Sequence, residues 1–237
     1  MPKIIGQRLK LVVLAFGLFC ASQAAADSFN EFISFGDSSV DSGWWSGALQ
    51  RAGLHEIKHD GFRVIARKDG PRVKLYSRPG NDLTPRFPLI VEALARLRSR
   101  SCIIDGEAVA CGDDGVANFE LIRRWDSDRS VFMWPYFDLI ELDGTDMRRE
   151  PLAQRKASLE RALARATPGV RFNEHLEEED GPLVFHYACK LGLEGIVSKR
   201  RDSPYSSGRS RHRIKSKNPN APAVKREAEE DWGRWKA

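Results

Sequence analysis

Lys58 lies in Glu56-Ile57-Lys58-His59-Asp60-Gly61-Phe62-Arg63, where a strand expected to be buried runs into a tight Asp-Gly turn. A lysine amine is a nucleophile only when neutral, so it must be desolvated or crowded by other cations. Candidates for that crowding lie far downstream. Ile214-Lys215-Ser216-Lys217 projects two lysines together, because residues two apart in a strand share a face. Glu194-Gly195-Ile196-Val197-Ser198-Lys199 adds a carboxylate and a cation on an alternating stretch. An amine activated in this way supports covalent catalysis, in which one difficult displacement is divided into two easier ones.

The elements that must position these groups are legible as periodicities. Phe62, Val64 and Ala66 alternate with Arg63, Ile65 and Arg67, a turn follows at Asp69-Gly70, and Val73, Leu75 and Ser77 alternate with Lys74 and Tyr76. This pattern predicts a β-hairpin. Phe87, Ile90, Val91, Leu94 and Leu97 recur at helical spacing. A strand over 102–110, a short helical run through Phe119, Leu121 and Ile122, and a strand over 131–142 come next. Leu152, Leu159 and Leu163 mark an amphipathic helix with Pro151 in its first turn. Short strands over 170–172, 195–199 and 214–217 flank a helix over 182–191, giving an α+β domain with mostly antiparallel sheets.

The chain has 237 residues, 41% hydrophobic and 30% charged, ordinary values for a globular protein. Beyond residue 50 it carries 35 Lys and Arg against 29 Asp and Glu, an excess that permits a polyanionic partner without demanding one. Residues 1–26 differ: Lys3, Arg8 and Lys10 precede an apolar run from Leu11 to Cys20, and Ala24-Ala25-Ala26 follows, the pattern of a signal peptide. The run is too short to span a bilayer. Cys102, Cys111 and Cys189 show neither disulfide-framework nor zinc spacing, which suits a reduced, cytosolic protein. Residues 27–52 include Phe35-Gly36-Asp37-Ser38, which resembles the first block of GDSL esterases with Ser38 as nucleophile. No histidine has an aspartate three positions before it, so that family's base is missing.

Taken in order, Lys58-His59-Asp60-Gly61, Ser77-Arg78, Asp105-Gly106-Glu107, Phe137-Asp138, the 194–199 stretch and Lys215-Ser216-Lys217 resemble the nucleotidyltransferase domain of ATP-dependent DNA ligases. The resemblance covers residues 53–237 and is greatest to bacterial ligases related to end-joining repair. It implies an ATP-grasp-like nucleotidyltransferase domain of antiparallel sheets flanked by helices. It also implies that Lys58 attacks the α-phosphate of ATP, forming lysyl-AMP and releasing pyrophosphate, for the sealing of nicked double-stranded DNA in repair or recombination. Lys215 and Lys217 correspond to lysines that contact the α-phosphate and lower the pKa of Lys58.

By the same resemblance Glu56 contacts the base, Phe137 stacks on adenine, and Glu107 binds ribose or metal. Asp105 and Glu194 correspond to metal-linked carboxylates, consistent with Mg²⁺ taking one or two carboxylates plus phosphate oxygens. Arg63, Arg78 and Lys199 correspond to residues holding nucleotide phosphates, ribose or the nick 5′-phosphate, a task suited to the planar arginine fork. Implied partners are nicked DNA and other end-joining or repair proteins, with no membrane partner and a cytoplasmic location.

The pattern has departures. Pro79 follows Arg78 where these ligases commonly have Asn-Gly, Arg213 replaces a usual tryptophan, and Ser216 replaces an apolar residue. Residues 218–237 form a charged tail, too short for the OB-fold domain that usually follows. The organisation read from the sequence is a signal-peptide-like segment at 1–26, an esterase-like fragment at 27–52, an adenylation domain at 53–217 and the tail. A fused reading frame accounts for the two incompatible compartments. Two alternatives stay open: a non-catalytic nucleotide- or DNA-binding domain, and an exported esterase.

Overall fold

The computed structural model describes residues 53–112, 115–123, 132–177, 181–208, 210–226 and 229, without the side chains of residues 132–137. The signal-peptide reading and Ser38 lie outside the described residues, as does half of the charged tail.

Two antiparallel sheets organise the described residues. The larger has strand order β3-β2-β4-β5-β6, formed by β2 (Phe62–Asp69), β3 (Arg72–Ser77), β4 (Ser101–Val109), β5 (Phe132–Leu142) and β6 (Thr145–Asp146). The alternation in the sequence decides its faces: Val64 and Ala66 of β2 and Val73 and Leu75 of β3 point inward. Gly70, at φ 56°, turns the first hairpin, and Asp143-Gly144, at φ 50° and 89°, turns the last. Against the inner face pack Ile90, Ala93 and Leu94 of helix α1 (Pro88–Ala95) and Leu159 and Leu163 of helix α3 (Leu152–Leu163). Helix α2 (Phe119–Arg123) adds Ile122 to the same core.

The smaller sheet has order β7-β1-β8-β9, with β1 (Gly53–Lys58), β7 (His175–Leu176), β8 (Gly195–Arg200) and β9 (Arg213–Lys217). Its central pair joins the start of the described chain to a strand near its end, with Lys58 opposite Gly195 and Gly53 opposite Arg200. Ile196 and Ile57 meet Ala188, Val184 and Phe185 of helix α4 (Gly181–Lys190), covering one face of this sheet.

The expected α+β architecture of antiparallel sheets and helices is present. Two details differ from the periodicity reading. The strand expected over 170–172 lies instead at His175–Leu176, because Val170 and Phe172 are apolar for another reason: they pack into the core of the larger sheet from a loop. Pro151 precedes α3 rather than occupying its first turn, with φ −54° and ψ 143°, so its ring sets the entry angle of the chain.

Candidate active site

The register of the smaller sheet explains how the predicted residues meet. Directly paired residues of antiparallel strands share a face. Lys58, Gly195 and Lys217 therefore form one row, Glu56, Val197 and Lys215 the next, and Leu54, Lys199 and Arg213 the third. Buried Ile214 and Ser216 alternate with half-buried Lys215 and Lys217, so both lysines rise on the Lys58 face. Gly195 has a reason to be glycine: at φ 148° a Cβ would lie 2.0 Å from the Ser216 carbonyl oxygen.

Lys58 Nζ donates to Glu194 Oε1, the carboxylate immediately before β8. The two side chains are 13% and 4% exposed, so the pair is shielded from solvent without being sealed. Glu107 of β4 faces the same place from the larger sheet. Burial holds its carboxyl up to about 8; Glu194 and Asp60 add to the rise, while Lys58 and Lys215 oppose it.

Glu56 and Lys199, expected at the base and at a phosphate, are joined to each other. Lys199 Nζ donates to Glu56 Oε2 at 2.8 Å, and Lys156 Nζ lies 2.6 Å from Glu56 Oε1. All three residues are buried. Burial lowers the Lys199 amine to about 8; Lys156 contributes as a like charge, and Glu56 opposes the shift.

Asp105, expected at a metal, is bonded to Arg63 and Tyr205. Arg63 Nε donates to its Oδ1 at 3.0 Å and Arg63 Nη2 to its Oδ2 at 2.6 Å, a two-armed fork. Tyr205 Oη donates to the same Oδ2 at 3.1 Å. The buried Asp105 carboxylate thus orients Arg63. Arg78 is exposed in the turn after β3. Arg213 stands near both arginines: burial, then Arg63 and Arg78, lower its pKa. Phe137 falls in β5, and its side chain lies outside the described residues.

Among the described residues no group of three or more His, Cys, Asp or Glu side chains is placed to hold a metal. Glu107 and Glu194, both beside Lys58, are a two-carboxylate set that fits Mg²⁺, which takes few protein ligands and completes its shell with phosphate oxygens and water.

A nucleophile candidate, two companion lysines and two carboxylates now stand together, and residues 46–217 match the family described as ATP dependent DNA ligase domain. The chain belongs to that family. It is 37% identical over 166 residues to the multifunctional non-homologous end joining protein LigD of Pseudomonas aeruginosa, covering 69% of this chain and 20% of that protein. It is 34% identical over 167 residues to a DNA ligase of Thermococcus fumicolans, covering 65% of this chain and 30% of that one. Among solved structures it resembles a mycobacterial DNA ligase D complexed with ATP and MES, with TM-score 0.62 and 32% identity, over 70% of this chain and 54% of that one. The chain thus spans 20% and 30% of the length of these two curated relatives.

This ligase domain holds several residues that the motif reading passed over. Lys156 and Arg155 were detectable, since α3 carries its apolar stripe at Leu152, Leu159 and Leu163 and both cations fall on that buried side. A basic residue on an apolar stripe needs a partner. Arg155 finds Asp138, with Nε to Oδ1 at 2.6 Å and Nη2 to Oδ2 at 2.7 Å, and also donates to the Ser203 carbonyl at 2.9 Å. Tyr205 and Asn173 gave no such signal, because their partners lie 100 and 114 positions away.

Proposed function

We propose that this ligase domain forms a lysyl-AMP intermediate on Lys58 from ATP and transfers the AMP to the 5′-phosphate of nicked duplex DNA, as part of DNA repair or recombination. The observation that carries this reading is the cross-strand row in which Lys58 and Lys217 flank Gly195, with Glu194 bonded to the Lys58 amine.

In this reading Glu194 orients the Lys58 amine before substrate arrives. Lys215 and Lys217 bind the α-phosphate, and their positive charge favours the neutral form of Lys58. The Lys58 nitrogen then bonds to phosphorus while the bond to pyrophosphate breaks. Arg63, held by Asp105 and Tyr205, and exposed Arg78 are available for ribose or DNA phosphates. Glu56, held by Lys199 and Lys156, is the proposed contact to the base, and Lys199 is a further candidate for a phosphate. Glu107 and Glu194 would hold Mg²⁺, which when bound neutralises charge on the phosphate oxygens. Phe137 remains the proposed adenine platform. Other end-joining proteins are the proposed partners, and the cytoplasm is the proposed location.

Residues 1–45 precede the matched region. The reading of residues 1–26 as a signal-peptide-like segment and of 27–52 as an esterase-like fragment, with Ser38 as its nucleophile, is likewise a proposal; N-terminal sequencing of the purified chain tests the cleavage it implies.

The function is tested by loading the full chain with AMP from ATP labelled at the α-phosphate, in Mg²⁺, and then adding a nicked duplex. Label passing from protein to a DNA 5′ end, followed by a sealed strand, is the expected sequence. A loaded chain that never transfers its label would confine the activity to adenylation.

A further inference from the structure

The turn that follows Lys58 is gripped by four distant positions of the chain. His59 Nε2 meets Asn173 Oδ1 at 3.1 Å, both residues being buried. Gly61 lies so close to β4 that a Cβ would fall 2.3 Å from the Ala108 carbonyl oxygen. Between them, Asp60 receives a two-armed fork from Arg226, Nη2 to Oδ1 at 2.7 Å and Nη1 to Oδ2 at 3.1 Å. The Phe119 backbone N–H adds a third bond to Asp60 Oδ2, also at 3.1 Å. The Arg226 guanidinium carbon lies 4.9 Å from the Phe119 ring centre, and that ring packs on Phe62 at 4.8 Å. One side chain thus clamps the turn by both its edge and its face.

The segment leading to Arg226 is tied down at its other end as well. Asn218 N donates to the Glu194 carbonyl at 2.8 Å, and Asn218 Nδ2 to the Leu193 carbonyl at 3.0 Å. Ala221 and Ala223 are buried along the way. Residues 218–226 therefore bridge the loop that presents Glu194 and the turn that presents Lys58.

We propose that Arg226 is a positioning residue for the nucleophile: its fork on Asp60, at the end of a strap anchored beside Glu194, fixes the placement of Lys58 relative to that carboxylate. It touches none of the reacting atoms. The inference rests on the lysyl-AMP reading for the step it affects, but the grip on the turn is independent of that reading. Neither Arg226 nor Asn218 belongs to the motifs by which the sequence resembled a ligase.

The test is single-turnover AMP transfer to the full chain at saturating ATP, comparing wild type, Arg226→Ala and Arg226→Lys. Misplacing a nucleophile slows the step without emptying the site, so Arg226→Ala should lower the first-order rate constant by about tenfold or more. The final amount of AMP per folded chain and the ATP concentration for half-maximal rate should stay near wild type. Arg226→Lys, which keeps charge but loses the fork, should recover only part of the rate. An unchanged rate constant with reduced amplitude would assign Arg226 to folding alone and overturn the proposal. Amide hydrogen exchange over residues 59–61, measured without ATP, should be faster in Arg226→Ala; unchanged exchange also overturns it. Absence of AMP transfer in wild type, with exchange altered in the variant, would locate the failure in the lysyl-AMP reading.

Discussion

Lys58 and Glu194 are separated by 136 positions in the chain and bonded to one another in the fold. The contact follows from register, since β1 pairs with β8 so that Lys58 stands opposite Gly195, one residue beyond Glu194. Replacing Glu194 by Gln keeps the shape and removes the charge that orients the amine. Transfer of AMP to the protein should fall by roughly 10²–10³, in the range for loss of one preorganised polar group at a reacting centre. Labelling rates in single turnover would measure it, and a rate within a factor of about two of wild type would remove Glu194 from the site.

Glu107 should oppose stability and activity against one another. Its folded pKa is raised from 4.5 to about 8, mainly by burial, so between those values the folded chain binds the extra proton. The stabilisation from this group is complete below the unfolded pKa and is lost as pH rises through the folded one. Glu107→Gln, permanently neutral, should melt at a higher temperature than wild type at pH 8.5 while losing Mg²⁺-dependent adenylation. Calorimetric melts at pH 6 and pH 8.5 would decide, and a Tm difference that does not grow with pH would contradict the assignment.

His59 has the opposite linkage. Burial, assisted by Lys58 and opposed by the Asn173 hydrogen bond, lowers its pKa from 6.5 to about 3. Its neutral state stabilises the fold above the unfolded pKa, and that contribution is lost as pH falls toward the folded value. Between pH 7 and pH 5 this one group should cost about 2 kcal/mol. Urea unfolding of His59→Gln across the same interval should lack that loss.

Arg155 and Asp138 test the frame beneath the site. Arg155→Ala strands a buried carboxylate and should destabilise the domain by about 3–5 kcal/mol. Replacing both residues, with Arg155→Met and Asp138→Asn, should be less costly than Arg155→Ala alone, because no uncompensated charge remains. Denaturant midpoints of the two variants give the comparison, and equal losses would mean that packing rather than charge governs this contact.

Much of the local structure is legible in the sequence. Strand alternation in Val64–Ala66 and Val73–Leu75, and the Asp-Gly turns, report themselves through nearest neighbours. The row that unites Lys58, Gly195 and Lys217 did not, because pairing β1 with β8 is a long-range choice that no local periodicity encodes. The same reason hid the partners of Glu56 and Asp105. Motif order identified both as site residues, but only the fold reveals that Lys156, Lys199, Arg63 and Tyr205 already engage their oxygens. Lys156 is the instructive omission, since a lysine on the apolar stripe of α3 announced a buried acid somewhere in the chain.

The function proposed for this chain requires that the Lys58 nitrogen carry AMP. Incubation of the full chain with Mg²⁺ and ATP, followed by proteolysis and mass spectrometry, locates the adduct directly, with Lys58→Ala treated in parallel. One AMP is expected on the peptide that contains Lys58, stable to denaturation, released by acid as expected for a phosphoramidate, and absent from the variant. AMP found on another residue, or equally on both chains, would contradict the proposed function.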